Sequence, residues 1–507
     1  MKSKRNRLGF ILLTFLLGCG AVFAGILLSK NADRGTAWAE KPAEFTIYSF
    51  LQARRIVEYE QPPRDLVEVI SKVYKEEDKA GTVLPKGTEG LHIVLVDDVP
   101  FFPYWQGEEG VYQFHPMGYG RFLSRLSCDE PVSKYLEAAV RTAHSLPNGG
   151  LLWYYPDNYR LSRFLGPDLT PSAISQGQIL GAITNLDQRC GLDLSYLARR
   201  VFLGLAFSYY EGGVNLENRA LLEFPLFRSA PEIILNGWLH ALLYLKQYAD
   251  YYKDSEAKKL LASNLEFLGQ IIGSFHHEAT GLSLYSDLCP YRVRIHHEGG
   301  PPQRLFAFYR ARVPGLSDLV FELAPIDHAT RSPYDNQIIT QTEKTTDIWI
   351  SCSQHYETYL VAEGSSFSLT FNTGEYSPRQ TTQGPRGEQV ELVSREEGEY
   401  HVVHVTAVRD KLFCGYPTNF LKNGENYYHT YHIVALACIL ASFDLPKNTR
   451  SNLKMWMEKW IQTVDELSAK GFVFTNYQAV LDELVEHQAC SITRNWETLL
   501  RMAREAG

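Results

Sequence analysis

The spacing of apolar residues changes twice along this chain, and these changes limit the folds it can adopt. Between residues 135 and 272, apolar residues recur three and four positions apart, which is the period of an amphipathic helix. Loops containing Gly, Pro and Asn separate these stretches, so we predict antiparallel helical hairpins. The predicted helices are Tyr135–Ser145, Ser172–Gln188, Tyr196–Tyr210, Ile233–Tyr252 and Asp254–Ile272.

From about Tyr291 the period changes to that of strands. Short alternating or β-branched runs are punctuated by Gly and Pro, which predicts an antiparallel β unit, most simply a small sandwich. These runs are Asp347–Ser351, Tyr356–Val361, Phe367–Phe371, Val390–Val393 and Glu399–Val405. Helical spacing then resumes at Tyr428–Ser442, Asn452–Leu467, Tyr477–His487 and Ile492–Ala503.

The simplest fold class is therefore α+β and multidomain: an (α/α) toroid of helical hairpins with an inserted antiparallel β-sandwich-like domain. The two helical parts span 131–290 and 426–507, and the insertion spans 291–425. Residues 31–130 are rich in aromatics and Gly, and we expect an irregular segment there. The ends of the insertion should lie close together, with the insertion over the cleft.

Residues 1–30 predict where the protein works. Basic residues precede an unbroken apolar run, Leu8–Leu28, which is about long enough to cross a bilayer core of about 30 Å. We predict a single-pass membrane anchor with the catalytic part on the extracytoplasmic side. A cleaved signal peptide and a lipoprotein signal at Cys19 are the alternatives. All three export the rest of the chain.

Charge and cysteine content limit the kinds of partner, metal site and disulfide that we expect. The formal net charge of −8 argues against nucleic acid, so an acidic polymer would have to meet a local basic lining. The eight cysteines include no CxxC pair, which disfavours a zinc site or a disulfide framework. Cys352 and Cys414 are the first pair to test as a bridge, and most of the others are expected to be small buried apolar residues.

Several polar residues are candidates for a functional site. Glu223 lies among apolar neighbours, which indicates either a buried functional carboxylate or a solvated loop charge. Gln176 follows a helix start at Thr170-Pro171 and is either a cleft residue or an ordinary surface amide. Tyr428 and His432 share a helix face, which is also the pattern of a buried core.

Five motifs follow one another along the chain: Ser175-Gln176-Gly177-Gln178, Glu223-Phe224-Pro225, Leu235-Asn236-Gly237, Gly281 to Leu288, and Tyr428-His429-Thr430-Tyr431-His432. They occur in the order found in the C-terminal domain of D-glucuronyl C5-epimerases, and the chain resembles that family over roughly 106–291 and 426–461. The resemblance implies an (α/α) toroid that inverts C5 of glucuronate within a polysaccharide to give iduronate. It assigns catalysis to Glu223, Tyr285 and Tyr428.

Two departures from the family affect the site. Phe224 stands where the family has a tyrosine, and the family's arginine after the Tyr285 motif is missing. Arg292 or Arg294 could replace that arginine. Asn236, His429 and His432 are further substrate-binding candidates, and Trp105 and Tyr112 could stack on sugar rings or simply pack loops.

The expected partner is a glucuronate-containing polysaccharide. No cofactor is indicated, although a structural divalent cation and a homodimer both stay open. A uronate polysaccharide lyase and a non-catalytic glycan-binding or assembly protein are the alternative functions, and a glycoside hydrolase would need a second carboxylate near Glu223. Fold analogy does not separate these classes.

Overall fold

Helices form most of the structure on both sides of a β segment, as the two changes in apolar spacing predict. The computed structural model describes residues 46, 62–79, 83–103, 110–156, 169–225, 230–278, 280–325, 337–371, 390–407, 416–417, 421–422 and 425–506, all within one unit. The apolar run Leu8–Leu28 and Cys414 lie outside these residues. Within them, no helix is long and apolar enough to cross a membrane.

The described helices follow the predicted ones closely. They are α1 Arg64–Ile70, α2 Pro116–Arg125, α3 Val132–Arg141, α4 Ala173–Cys190, α5 Ser195–Leu205, α6 Leu235–Tyr251, α7 Ser255–Ile271, α8 Tyr427–Ser442, α9 Lys447–Ser468, α10 Tyr477–Glu486 and α11 Trp496–Glu505. Helices α1 and α2 both lie where the sequence predicts irregular structure. His115 caps α2 by accepting a hydrogen bond from Gly118 N, and Pro116 begins α2.

Helices α2, α4, α6 and α8 pack side by side in that order, and most of their residues are buried. Their starts lie at one end: Ala173 N bonds Leu222 O beside Glu223, and Glu223 lies against the first turn of α6. Their ends also meet, since Cys128 after α2 is bridged to Cys190 of α4. Helices α5, α7 and α9 each pack outside one of these helices. One turn beyond their starts, α6 and α8 meet where His240 Nδ1 bonds the Tyr431 hydroxyl. Helices α2, α4, α6 and α8, called the inner helices below, are therefore parallel.

The strands are mostly short in the helical parts and long between them. They are β1 Val73–Lys75, β2 Val94–Val96, β3 Val99–Pro103, β4 Val111–Phe114, β5 His144–Ser145, β6 Leu151–Leu152, β7 Tyr154–Tyr155, β8 Thr170–Pro171, β9 Asn215–Leu216, β10 Ala220–Leu221, β11 Leu284–Ser286, β12 Leu288–Glu298, β13 Arg304–Ala311, β14 Leu319–Glu322, β15 Ala324–Pro325, β16 Gln337–Gln341, β17 Thr345–Ser353, β18 Tyr356–Glu363, β19 Ser366–Phe371, β20 Val390–Glu397, β21 Tyr400–Ala407, β22 Tyr416–Pro417, β23 Leu421–Lys422 and β24 Glu425–Asn426.

Strands β12 to β21 form a ten-stranded network with two halves. One half has the order β15-β16-β17-β12-β19 and the other β14-β13-β18-β21-β20. The halves are joined where Ser353 pairs with Tyr356 at the β17–β18 turn. The rings of Phe367 and His401, one from each half, are 4.8 Å apart, so the halves also touch through side chains. The β unit predicted between the helical parts is present, and the chain is α+β.

The β segment is fixed to the helices at its beginning. Strand β11 pairs with β22, so the chain enters and leaves the β segment through neighbouring strands. Asp287, between β11 and β12, accepts hydrogen bonds from Ile233 N at 2.9 Å, from Ser353 Oγ and from His355 Nδ1. His355 Nε2 lies 2.8 Å from Ser274 Oγ just after α7. This buried polar array fixes β11 and β12 against the helices.

Four of the cysteines form two disulfides, a number that the sequence left open, although neither is the pair proposed first. Cys128 is bonded to Cys190, and Cys438 to Cys490. Spacing alone does not reveal these pairs, because their members are 62 and 52 residues apart and lie in different segments. Each bridge links an inner helix to a neighbouring loop.

The division into five domains stays a prediction.

Candidate active site

Glu223 is a buried carboxylate held against the start of helix α6. It follows β10 and is 6% exposed. Gly237, in the first turn of α6, makes this position available, because a Cβ at residue 237 would lie only 2.2 Å from Glu223 Oε2. The Gly237 of the Leu-Asn-Gly motif is therefore explained by a close approach between the helix and Glu223. Of the two interpretations of Glu223, the structure shows the buried carboxylate.

Tyr285 links this carboxylate to the start of helix α8. The Tyr285 hydroxyl donates to Glu223 Oε1 at 3.4 Å, and its ring meets the Tyr428 ring edge-on with centroids 4.8 Å apart. Tyr428 lies in the first turn of α8 and is half-buried. Glu223, Tyr285 and Tyr428 thus form one continuous cluster. Tyr285 follows Glu223 by 62 positions (285 − 223), and Tyr428 follows Tyr285 by 143 (428 − 285).

Strand β11 holds Tyr285 in this position. Ser286 bridges to Ile234, the residue before α6, and its hydroxyl donates to the buried carboxylate of Glu232. Alternation along the strand then directs Tyr285 away from the side taken by Leu284 and Ser286. The Gly281–Leu288 motif therefore supplies both the phenol and the residues that fix its strand.

His429 and His432 bind Ser283, immediately before β11. His429 Nδ1 accepts a hydrogen bond from Ser283 N at 2.9 Å, so its proton is on Nε2, which faces Trp460 O at 3.2 Å. The Ser283 hydroxyl lies 2.8 Å from His432 Nδ1. Burial lowers the pKa of His429 to about 3 and lowers that of His432 well below its usual value. These neutral rings position β11 relative to α8.

Two further predicted residues have different surroundings. Asn236 is buried in the first turn of α6, and its Oδ1 has no hydrogen-bond partner among the described residues. It can therefore accept a hydrogen bond from a ligand. Gln176 instead uses its amide within the protein: Nε2 donates to Leu151 O at 2.6 Å and to Val201 O at 2.9 Å. Gln176 is buried, so it is not a surface amide, and its amide connects two backbone segments.

The remaining predicted site residues lie away from the cluster of Glu223, Tyr285 and Tyr428, or in parts of the chain that the structure does not describe. Arg294 makes two bonds to Asp347, at 2.7 and 2.8 Å, within the β segment. Tyr112 is buried in β4, opposite Tyr74 and Pro103. The Arg292 side chain and Trp105 lie outside the described part of the chain. Arg294 therefore does not support the prediction that it replaces the family's arginine.

The cluster also includes residues that the sequence predictions did not assign to catalysis. The Tyr155 ring lies 5.6 Å from the Phe224 ring, and Ser175 Oγ donates to the Tyr155 hydroxyl at 3.0 Å. Burial raises the pKa of Tyr155, the Ser175 bond lowers it, and the Glu223 charge adds to the rise. Tyr155 thus places a phenol beside the position where the family tyrosine is replaced by Phe224.

The helix starts give this region a positive bias. The first turns of α4, α6 and α8 converge around Glu223, Tyr285 and Tyr428, and unpaired N–H groups at a helix start carry a partial positive charge. No group of three or more His, Cys, Asp or Glu side chains suited to a metal ion occurs in the described ranges.

No family model matches this sequence, and no curated protein is significantly similar to it.

Proposed function

We propose that this protein is a membrane-anchored polysaccharide epimerase that inverts C5 of D-glucuronate residues to give L-iduronate. The observation that carries the proposal is the contact series Glu223–Tyr285–Tyr428. These are the three residues that the resemblance to the D-glucuronyl C5-epimerases marks as catalytic. They come from three separate segments, and they meet at the starts of the inner helices.

Proton transfer at C5 needs the kind of groups found in this cluster. The hydrogen on C5 is weakly acidic, so removing it requires a base and stabilisation of the carboxylate as it becomes an enediolate. Inversion requires proton removal on one face of the sugar and proton return on the other. Glu223 contacts the hydroxyl of Tyr285 and Tyr428 contacts its ring, so the carboxylate and the second phenol approach Tyr285 separately. We assign Glu223 and Tyr428 to the two faces and Tyr285 to charge stabilisation.

The fold and the cysteines also support the proposal. Parallel inner helices, three of them followed by a helix packed outside, are the arrangement expected of an (α/α) toroid, and the two five-stranded halves suit an inserted β-sandwich-like domain. Two disulfides are typical of a protein exported from the cytoplasm. We therefore expect the chain from Lys41 onward to act outside the cytoplasm on a glucuronate-containing polysaccharide, anchored by residues 1–30.

The test is C5 hydrogen exchange on a heparosan oligosaccharide in deuterated water, followed by NMR. Wild-type protein should incorporate deuterium at C5 and form iduronate. Glu223→Gln and Tyr428→Phe should each abolish inversion while retaining the fold, because each keeps the shape and removes only the titrating group. Tyr285→Phe should be milder, slowing inversion on the order of 10²–10³, the loss typical of one oxyanion donor.

Tyr427→Phe is the matched control. Tyr427 adjoins Tyr428 but donates its hydroxyl to Glu483 at 2.8 Å, so its loss should leave exchange within a few-fold of wild type. Formation of an unsaturated, ultraviolet-absorbing product would identify a lyase instead. Near-normal inversion by both Glu223→Gln and Tyr428→Phe would contradict the catalytic assignment. Absence of exchange and of cleavage would favour a glycan-binding protein.

A further inference from the structure

We propose that Arg121 is the cation that binds the substrate's uronate carboxylate in this cleft. The inference rests on the proposed function and deepens it. Arg121 lies on α2, one of the four inner helices. It takes the part that the sequence predictions gave to Arg292 or Arg294, and Arg294 is bound to Asp347 in the β segment.

Arg121 is a half-buried cation, and none of the described residues supplies an anion for it. In the part of the chain that the structure describes, no carboxylate lies within ion-pair distance of it, and its Nε is buried without a hydrogen-bond partner. Other arginines nearby do have partners: Arg125, one turn further along α2, pairs with Glu486, and Arg189 donates to Leu126 O at 2.6 Å. Removing a cation from water without a partner is unfavourable. A bound carboxylate would remove that penalty.

The charge of Arg121 acts on phenols from several elements around α2. Burial raises the pKa values of Tyr155, Tyr244 and Tyr427, and the Arg121 guanidinium lowers each of them. These phenols belong to β7, α6 and α8, so the guanidinium lies within electrostatic range of three separate inner elements. Tyr155 is also influenced by Glu223. The cation and the carboxylate of the cluster therefore act on the same phenol.

Small residues let α2 approach its neighbours closely at this level. A Cβ at Gly120 would lie 2.5 Å from Gln178 Cγ on α4, and one at Gly118 would lie 2.9 Å from the Phe102 ring. Gly120, the residue before Arg121, thus lets α2 lie close to α4, and Gly118 lets α2 lie close to β3. The same glycines weakened the helical signal in the sequence.

A carboxylate ligand would use Arg121 in a specific way. The uronate carboxylate is attached to C5 itself, so binding it also positions the C5 hydrogen for Glu223 or Tyr428. The negative charge on this group increases as the enediolate forms, and a guanidinium can make two parallel hydrogen bonds to it. Arg121 would therefore contribute to binding and still more to the rate of proton removal.

The experiment compares Arg121→Met with Arg125→Met, which removes an ion-paired arginine from the same helix. Each variant is titrated calorimetrically with a heparosan oligosaccharide and with its carboxyl-reduced, neutral counterpart, and C5 exchange is measured on the acidic one. Wild type and Arg125→Met should prefer the acidic ligand by on the order of tenfold or more. Arg121→Met should lose this preference, and its kcat/KM should fall on the order of 10²–10³.

Arg121→Lys keeps the charge but loses the planar fork, so it should retain part of the preference and confirm that charge is involved. Equal preference in wild type and Arg121→Met, with normal exchange, would overturn the inference and leave the proposed function intact. Preference lost equally in Arg125→Met would also overturn it. If wild type neither binds the acidic ligand nor exchanges C5 hydrogen, the proposed function fails, and the inference fails with it.

Discussion

Replacing Gly237 with alanine should displace the Glu223 carboxylate while leaving the fold largely intact. The new Cβ would lie 2.2 Å from Glu223 Oε2, 2.6 Å from its Cβ and 2.7 Å from its Cγ, whereas ordinary contact begins at 3.4 Å. The carboxylate oxygen must therefore move by about 1.2 Å (3.4 − 2.2) and the Cβ by about 0.8 Å (3.4 − 2.6). Rotation of the side chain alone does not relieve the second contact, so the loop or the helix must also shift.

The effects on stability and activity should separate. Overpacking costs about 1–3 kcal/mol, and the better helix propensity of alanine returns about 1 kcal/mol, so the free energy of unfolding should fall by about 0–2 kcal/mol. A displacement of about 1 Å at a catalytic group lowers the rate on the order of 10². Urea unfolding measures the first quantity, and C5 deuterium exchange on a heparosan oligosaccharide measures the second.

Gly177→Ala is the matched control. It lies on α4, and the nearest atoms to its Cβ would belong to Ala241, at 3.0 Å, and to Tyr244. This variant should lose a comparable amount of stability but keep exchange within a few-fold of wild type. Wild-type exchange by Gly237→Ala would refute the reasoning, because it would mean that the Glu223 carboxylate can move by about 1 Å without consequence.

Two further predictions concern stability. Burial lowers the pKa of both His429 and His240 from 6.5 to about 3, so below pH 6.5 the unfolded chain binds protons that the native state does not. The free energy of unfolding should therefore fall as the pH drops below about 6.5, by about 1.4 kcal/mol per pH unit for each histidine. In urea titrations, His429→Asn should show a shallower dependence of this free energy on pH. A free energy of unfolding that does not change with pH would contradict this. Replacing the cysteines of either bridge by serine should lower the free energy of unfolding by about 2–4 kcal/mol, since loops of 62 and 52 residues are released. A loss below about 0.5 kcal/mol in chemical denaturation would show that the bridge contributes nothing.

Local spacing in the sequence determined the secondary structure well. The predicted helix Ile233–Tyr252 is observed as Leu235–Tyr251, and Tyr428–Ser442 as Tyr427–Ser442. The period of the apolar residues predicts whether a segment is a helix or a strand, because apolar residues recur on the side of the segment that is buried. Helix α2 was missed, because two glycines within it lower helix propensity and only its contacts with Phe102 and Gln178 explain them.

The tertiary structure decided which residues meet. The contact of Glu223 with Tyr285 and of Tyr285 with Tyr428 is not a property of any one segment, and the sequence suggested it only through a resemblance. The sequence also did not reveal that Arg121 Nε has no partner among the described residues, or that Arg294 pairs with Asp347. Periodicity tells which face of a helix is buried but not what covers it. Charge pairing, disulfides and a shared cleft depend on distances between segments far apart in the chain, and those distances are set only when the helices and strands pack.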